Sequence, residues 1–199
     1  MLSRASGPLM LALLLGASLM GISLHAQALP APAETVSAIM GALRGCSSQS
    51  PAEILGYLNR VLHGQVSGFV TCCVALDAAD GAMIHANAGN PAPYCNGREM
   101  VVASGIPLGL VAEVAYEETG FQLPLSSLLT FVSDGIVVAR STSGELFGFE
   151  RTASISSSGA VAIAQAAQAF GQDDDITVLT ITMEPSSAEV IPGGGRPNR

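Results

Sequence analysis

This chain of 199 residues has no lysine and no tryptophan, and aromatic residues make up only 5% of it. Charge is scarce as well, at 12%, and it leans to one sign: 16 acids stand against eight arginines, a net charge of −8. The shortage of cations excludes a partner held through a phosphate backbone, which needs clustered lysine and arginine, so no nucleic acid is expected. Four cysteines are too few for a disulfide scaffold. Cys72 and Cys73 are adjacent in an apolar run, point to opposite faces of any strand, and read as small buried hydrophobes. No C-x-x-C or histidine-rich spacing offers a zinc site. With so few aromatics the core has to come from Ala, Leu, Val and Ile, and a hydrophobic share of 49% excludes a disordered chain.

What is present begins with a long uncharged run. Arg4 is followed by residues 5–33 without a charge, with an apolar centre over 9–24, and Ala26 and Ala28 stand at the −3 and −1 positions of a cleavage after Ala28. A short positive region, an apolar stretch and an A-x-A end read as a secretory signal peptide over residues 1–28, followed by a linker over 29–33 with Pro30 and Pro32. An uncleaved membrane anchor and a buried core helix are the alternatives; the run is short for a membrane span, and Gly16 and Gly21 weaken it as a helix. On the signal-peptide reading the protein is exported, periplasmic or secreted, and Cys46, Cys72, Cys73 and Cys95 meet conditions in which disulfides form. Membrane contact follows only if the segment stays uncleaved, and a misassigned start would leave the chain cytoplasmic.

Beyond it, residues 35–44 carry Val36, Ile39, Met40 and Leu43 at helical spacing, with Gly45 as a stop. A second helix is signalled by Ser50 as N-cap, Pro51 at the first helical position and Glu53 completing a capping box; Ile54, Leu55, Leu58, Val61 and Leu62 form its apolar stripe. Residues 69–76 read as a strand buried on both faces, 77–81 as a turn and 82–88 as the returning strand of a hairpin. Further strands are expected around 99–102, 114–122, 128–133 and 136–140, then an alanine-rich helix over 160–170 stopped by Gly171, a last strand over 176–183 and a tail over 184–199. Strands in succession with helices before and after predict an α+β fold with mainly antiparallel sheets.

Two acidic positions carry the chemistry. Asp134 follows the apolar run 128–132 and precedes Gly135, which is one way to present a metal ligand at a strand end and also the make-up of an ordinary turn. Asp173-Asp174-Asp175 stands just before the last strand; three adjacent acids repel one another unless a hard divalent cation or free solvation stabilises them. His63 and His85 are in no catalytic setting, and His85, mid-strand, reads as a packed side chain. No serine sits in a nucleophile elbow, and Gly105, Gly109, Gly144 and Gly148 lack a phosphate-loop spacing. The residues alone lead to an oxygen-ligand metal site with two carboxylate arms.

Several stretches together resemble the metal-dependent PPM-type serine phosphatases of bacteria, in the branch of stage II sporulation protein E. They are Ser50-Pro51-Ala52-Glu53-Ile54-Leu55 with Leu58-Asn59-Arg60; Phe69-Val70-Thr71; Ala86-Asn87-Ala88-Gly89-Asn90-Pro91; Ile106-Pro107-Leu108-Gly109-Leu110; Ser133-Asp134-Gly135-Ile136 with Ala139-Arg140; Gly144-Glu145-Leu146-Phe147-Gly148; and Asp173-Asp174-Asp175-Ile176-Thr177. The resemblance implies an α-β-β-α sandwich over residues 34–183 that lacks the family's first strands. It implies Mn²⁺ or Mg²⁺ as cofactor, with Asp134 and Asp174 as metal ligands and Asp175 acting from behind them. The implied reaction is attack of a metal-activated water or hydroxide on a phosphoserine, with a phosphorylated regulatory protein of the anti-sigma-factor-antagonist type as partner. The family's opening Gly-Asp strand and Asp-Val-Ser-Gly loop have no counterpart here, Asn90 stands where a histidine is usual, and Ser126-Ser127 replaces Gly-Asp. A non-catalytic pseudophosphatase module, exported or membrane-tethered, and a gene fragment are the alternative readings.

Overall fold

The structure is a computed structural model that describes residues 20–27, 32–65, 69–77, 81–172 and 176–182. In chain order the elements are β1 (Met20–Gln27), α1 (Pro32–Gly45), α2 (Pro51–Leu62), β2 (Phe69–Asp77), β3 (Ala82–Ala88), β4 (Tyr94–Cys95), β5 (Arg98–Glu99), β6 (Glu118–Gln122), β7 (Leu128–Val132), α3 (Asp134–Val137), α4 (Gly148–Ile155), α5 (Ala160–Gly171) and β8 (Val178–Thr182). They form two four-stranded sheets, in the orders β1-β2-β3-β6 and β5-β4-β7-β8, and each strand pairing is antiparallel.

The alternation of side chains along β2 makes the layers. Cys72 and Val74 face outward and pack with Ile39, Leu43, Ile54, Leu55, Leu58 and Leu62 of the first two helices. Cys73 and Ala75 face inward, where they meet Met83 on one sheet and Leu129 and Phe131 on the other. Outside the second sheet, Tyr94 and Val132 pack with Ile136, Phe147, Ile163 and Ala167 of the segments that cover it. Helix, sheet, sheet, helix is the resulting order, the expected α+β sandwich. Cys72 and Cys73 are buried as small hydrophobes, and all four cysteines are free thiols.

The second helix starts where its cap residues place it, but its capping box is only half made. The Ser50 hydroxyl accepts from the Glu53 amide at 3.2 Å. The Glu53 carboxylate does not return to the Ser50 amide: it accepts from the Ser48 hydroxyl at 2.5 Å, while the Ser50 amide donates to that hydroxyl at 3.1 Å. Glu118 of β6 fills the gap, accepting from the Ser50 hydroxyl at 2.6 Å and the Ala52 amide at 3.1 Å, a carboxylate at the positive end of the helix.

Other expectations are corrected. Residues 136–140 are not a strand: α3 turns at Asp134, with the Val138 amide donating to the Asp134 carbonyl at 2.8 Å, and Arg140 forms an isolated bridge with Leu146. A short apolar run cannot be told from a buried helical turn by periodicity. Pro32 and Ala33, read as linker, already belong to α1. Helix α4 and strand β4 have no counterpart in the sequence reading. Residues 20–27, within the segment read as a signal peptide, pair along their whole length with β2, from Met20 opposite Leu76 to Gln27 opposite Phe69. The cleavage position Ala28, the residues 78–80 of the hairpin turn and the tail over 184–199 lie outside the described residues. No helix among the described residues is long and apolar enough to cross a membrane.

Candidate functional site

The end of β7 is where the sequence-predicted acid stands. β7 runs out at Val132, Ser133 is fully buried, and Asp134 opens α3 with a partly buried side chain. Asp174 and Asp175 lie outside the described residues, as does Asp173. The described residues on either side of them, Gly171 and Thr177, are both bonded to residues of the segment 133–140. On the far side, Ser133 donates its amide to the Thr177 carbonyl at 3.0 Å, and its hydroxyl accepts from the Thr177 amide at 3.0 Å. On the near side, the Arg140 amide donates to the Gly171 carbonyl at 2.7 Å. The described residues flanking the acidic triplet are thus bonded to the segment from Ser133 to Arg140.

The contact at Gly171 needs glycine. Its φ is +139°, and a Cβ built there would come 1.8 Å from the Arg140 carbonyl oxygen. Residues 140–151 are held over this region by Arg151. Its guanidinium pairs with Glu145 at 2.5 Å, donates to the Leu146 and Phe147 carbonyls at 2.9 and 3.2 Å, and lies 5.0 Å from the centre of the Phe170 ring. Phe147 meets Phe170 edge-on at 5.3 Å. The contacts of Arg140 with Gly171, Arg151 with Phe170 and Phe147 with Phe170 join residues far apart in sequence, and none of them was read from it. The one local signal at Ser133 is its type: a serine before an acid at a strand end is an N-cap candidate.

The remaining positions of interest are structural. Asn90 closes a turn with Asn87 by two bonds of 2.9 Å around Gly89, whose φ is +88°. Ser126 is held at φ +64°, in the left-handed region that glycine enters without strain. Buried Asn59 of α2 grips the loop of residues 109–112, accepting from the Gly109 amide at 2.8 Å and donating to the Val111 and Ala112 carbonyls at 2.9 and 3.1 Å. His85 lies in the inter-sheet core, stacked on Phe131 with ring centroids 6.1 Å apart, and neither ring nitrogen has a hydrogen-bond partner. Burial pulls its pKa down to about 4, so at neutral pH it is an uncharged packed side chain and not a base. Burial, and then Glu99 across the strand, pushes the Tyr94 hydroxyl up to about 12. A separate cleft of about 590 Å³, lined by Cys46, Ser48, Tyr57, Arg60 and Tyr116 among others, includes none of residues 133–140.

Among the described residues no three His, Cys, Asp or Glu side chains form a metal cage. Asp134 and the acid triplet offer hard oxygen donors, the type that Mg²⁺ and Mn²⁺ take. Among the described residues Asp134 alone of these donors is placed, so the described residues by themselves make no complete site for such an ion.

Residues 17–184 match the family model described as stage II sporulation protein E (SpoIIE). No curated protein sequence gives a significant match. Among solved structures, the RsbU and RsbW domains of Rv1364c from Mycobacterium tuberculosis superpose with a TM-score of 0.69 at 23% identity, covering 92% of this chain and 58% of that one. The PP2C phosphatase domain of SpoIIE from Bacillus subtilis, with a fragment of its regulatory domain, gives 0.67 at 18%, covering 91% and 59%. RsbX in complex with magnesium gives 0.65 at 13%, covering 89% and 87%. The chain therefore spans less than two thirds of the first of these and of the SpoIIE structure, and these likenesses establish the fold.

Proposed function

We propose that this chain, which belongs to the stage II sporulation protein E (SpoIIE) family, is a metal-dependent phosphoserine phosphatase domain acting on a regulatory protein. One observation carries the reading: Asp134 stands at the end of β7, and Gly171 and Thr177, on either side of the acid triplet in the sequence, are both bonded to residues 133–140. A divalent cation bound there supplies neutralisation of the phosphate oxygens and activation of the attacking water. The chain's own residues do the rest. Asp134 and the acid triplet offer the carboxylate oxygens, Ser133 bonds Thr177 and Arg140 bonds Gly171, and Arg151 braces residues 145–147. The strand β1 stays with the domain in this reading, since cleavage after Ala28 would strip β2 of its partner along eight residues.

The substrate class follows the same resemblance. The similar solved structures include RsbU with RsbW domains and a structure from the bacterial stressosome, a signalling setting that supports a phosphorylated signalling protein as substrate. The test is Mn²⁺-dependent release of phosphate from a phosphoserine peptide. Turnover should be abolished by Asp134→Ala with the circular dichroism spectrum unchanged. A folded wild-type chain without turnover would overturn the reading and leave a non-catalytic interaction module in its place.

A further inference from the structure

The end of α1, the outer side of α2 and residues 114–116 line the open cleft of about 590 Å³. Its walls are fixed from two sides. Glu118 ties β6 to the start of α2 through Ser50 and Ala52, and buried Asn59 grips residues 109–112 from the same helix. A cleft held in this way is formed before anything enters it, and its volume lies within the roughly 300–1,000 Å³ of small-molecule sites. One wall is apolar: Val114, Ala115 and the ring of Tyr116, whose hydroxyl is already engaged with the Ile106 carbonyl at 3.0 Å. The facing wall, on α2, carries polar groups with nothing bound to them. Arg60 is exposed, its Nη1 3.7 Å from where a Cβ on Gly56 would stand, and among the described residues it has no ion pair or hydrogen bond. The Tyr57 hydroxyl, which also lines the cleft, has no partner among them either. Arg151, by contrast, is taken up by Glu145 and two carbonyls.

We propose that this cleft binds a small organic monoanion with an aromatic body, its carboxylate or sulfonate on Arg60 and Tyr57 and its ring against Val114 and Tyr116. The planar fork of a guanidinium matches two oxygens of such a group, and a hydroxyl can donate to a third lone pair. The apolar wall removes the ring from water. A second negative charge is disfavoured. The Glu53 carboxylate lines the same cleft, Glu118 already occupies the positive end of α2, and the whole chain carries a charge of −8. Polyphosphates are therefore poor ligands here.

The probe is 8-anilinonaphthalene-1-sulfonate, an aromatic monoanion whose fluorescence rises on leaving water, titrated into the full chain. N-phenyl-1-naphthylamine, the same rings without the sulfonate, is the neutral comparison. Saturable binding of the anion is expected, weakened by about tenfold or more in Arg60→Gln, as for loss of a charged hydrogen-bond partner. The neutral compound should bind wild type and Arg60→Gln alike, and more weakly than the anion binds wild type. Tyr57→Phe removes only a hydroxyl; it carries the test if Arg60→Gln does not fold, with an expected loss of about threefold. Arg98→Gln takes the same charge from exposed β5 and should leave affinity within about twofold, since salt screens distant charges. Adenosine triphosphate should not displace the probe. Absence of saturable binding, undiminished affinity in folded Arg60→Gln, or equal weakening in Arg98→Gln would overturn the proposal. So would a neutral compound that binds wild type as tightly as the anion, or displacement by the triphosphate.

Discussion

The two helical layers of the sandwich are held by different means. Over the first sheet, α2 presses four aliphatic side chains, Ile54, Leu55, Leu58 and Leu62, to between 0% and 1% exposure against β2 and β3. Over the second sheet, α5 buries only Ile163 and Ala167, and the layer is completed by directed contacts: Arg140 on Gly171, Arg151 on Glu145 and Phe170, Phe147 on Phe170. The first layer is stabilised by apolar volume, which tolerates small displacements. The second depends on bonds with fixed geometry, and it is the one that carries the candidate site. Holding Asp134 in a fixed place calls for that kind of contact, because dispersion and apolar burial have no preferred direction.

The largest effect is expected in the first layer. Leu58→Ala should cost about 4 kcal/mol, measured by urea unfolding, since a fully buried leucine leaves a cavity as well as losing its transfer energy. A cost under about 1 kcal/mol would remove the distinction between the layers.

The next concerns the floor that the layers share. His85, between the sheets, has its pKa lowered to about 4 against an ordinary 6.5. The unfolded chain binds a proton that the folded chain refuses, so stability is full above pH 6.5 and falls as the pH drops toward 4. The loss over that window is about 3 kcal/mol, from about 1.4 kcal/mol for each pKa unit. His85→Leu should flatten the pH dependence of the unfolding midpoint across it, and an unchanged slope would show that other groups set the acid limit.

The smallest of the three is in the second layer. Gly171→Ala should cost about 2 kcal/mol, because the backbone at φ +139° is strained for alanine and its Cβ would meet the Arg140 carbonyl oxygen. Faster amide exchange is expected at Arg140 with no change in α2. Exchange that rises equally in both layers would mean that they are not separable.

Much of the first layer was legible in the sequence. Ser50, Pro51 and the stripe from Ile54 to Leu62 announce α2 because capping and helical spacing are local properties. The hairpin of β2 and β3 is announced by β-branched residues around a turn. The second layer was far less so. Its α4, GFERTASI, has no apolar stripe, and the two-residue β4 is too short to show a period. Residues 136–140 were misread as a strand, because four or five apolar residues suit either a buried strand or a buried turn. Asp134 stood out by its place after an apolar run, whereas the work of Ser133 depends on a residue 44 positions away.

The sequence by itself determined the family, the sandwich class, the caps and stripe of α2 and the identity of the acids, since each rests on residue type and short-range spacing. Only the tertiary structure decided that Gly171 and Thr177 are bonded to residues 133–140, that Glu118 completes the cap of α2, and that His85 is locked uncharged between the sheets. Those are properties of pairs distant along the chain. Hydrogen bonding and desolvation act at distances of a few ångströms, and folding alone brings such pairs that close.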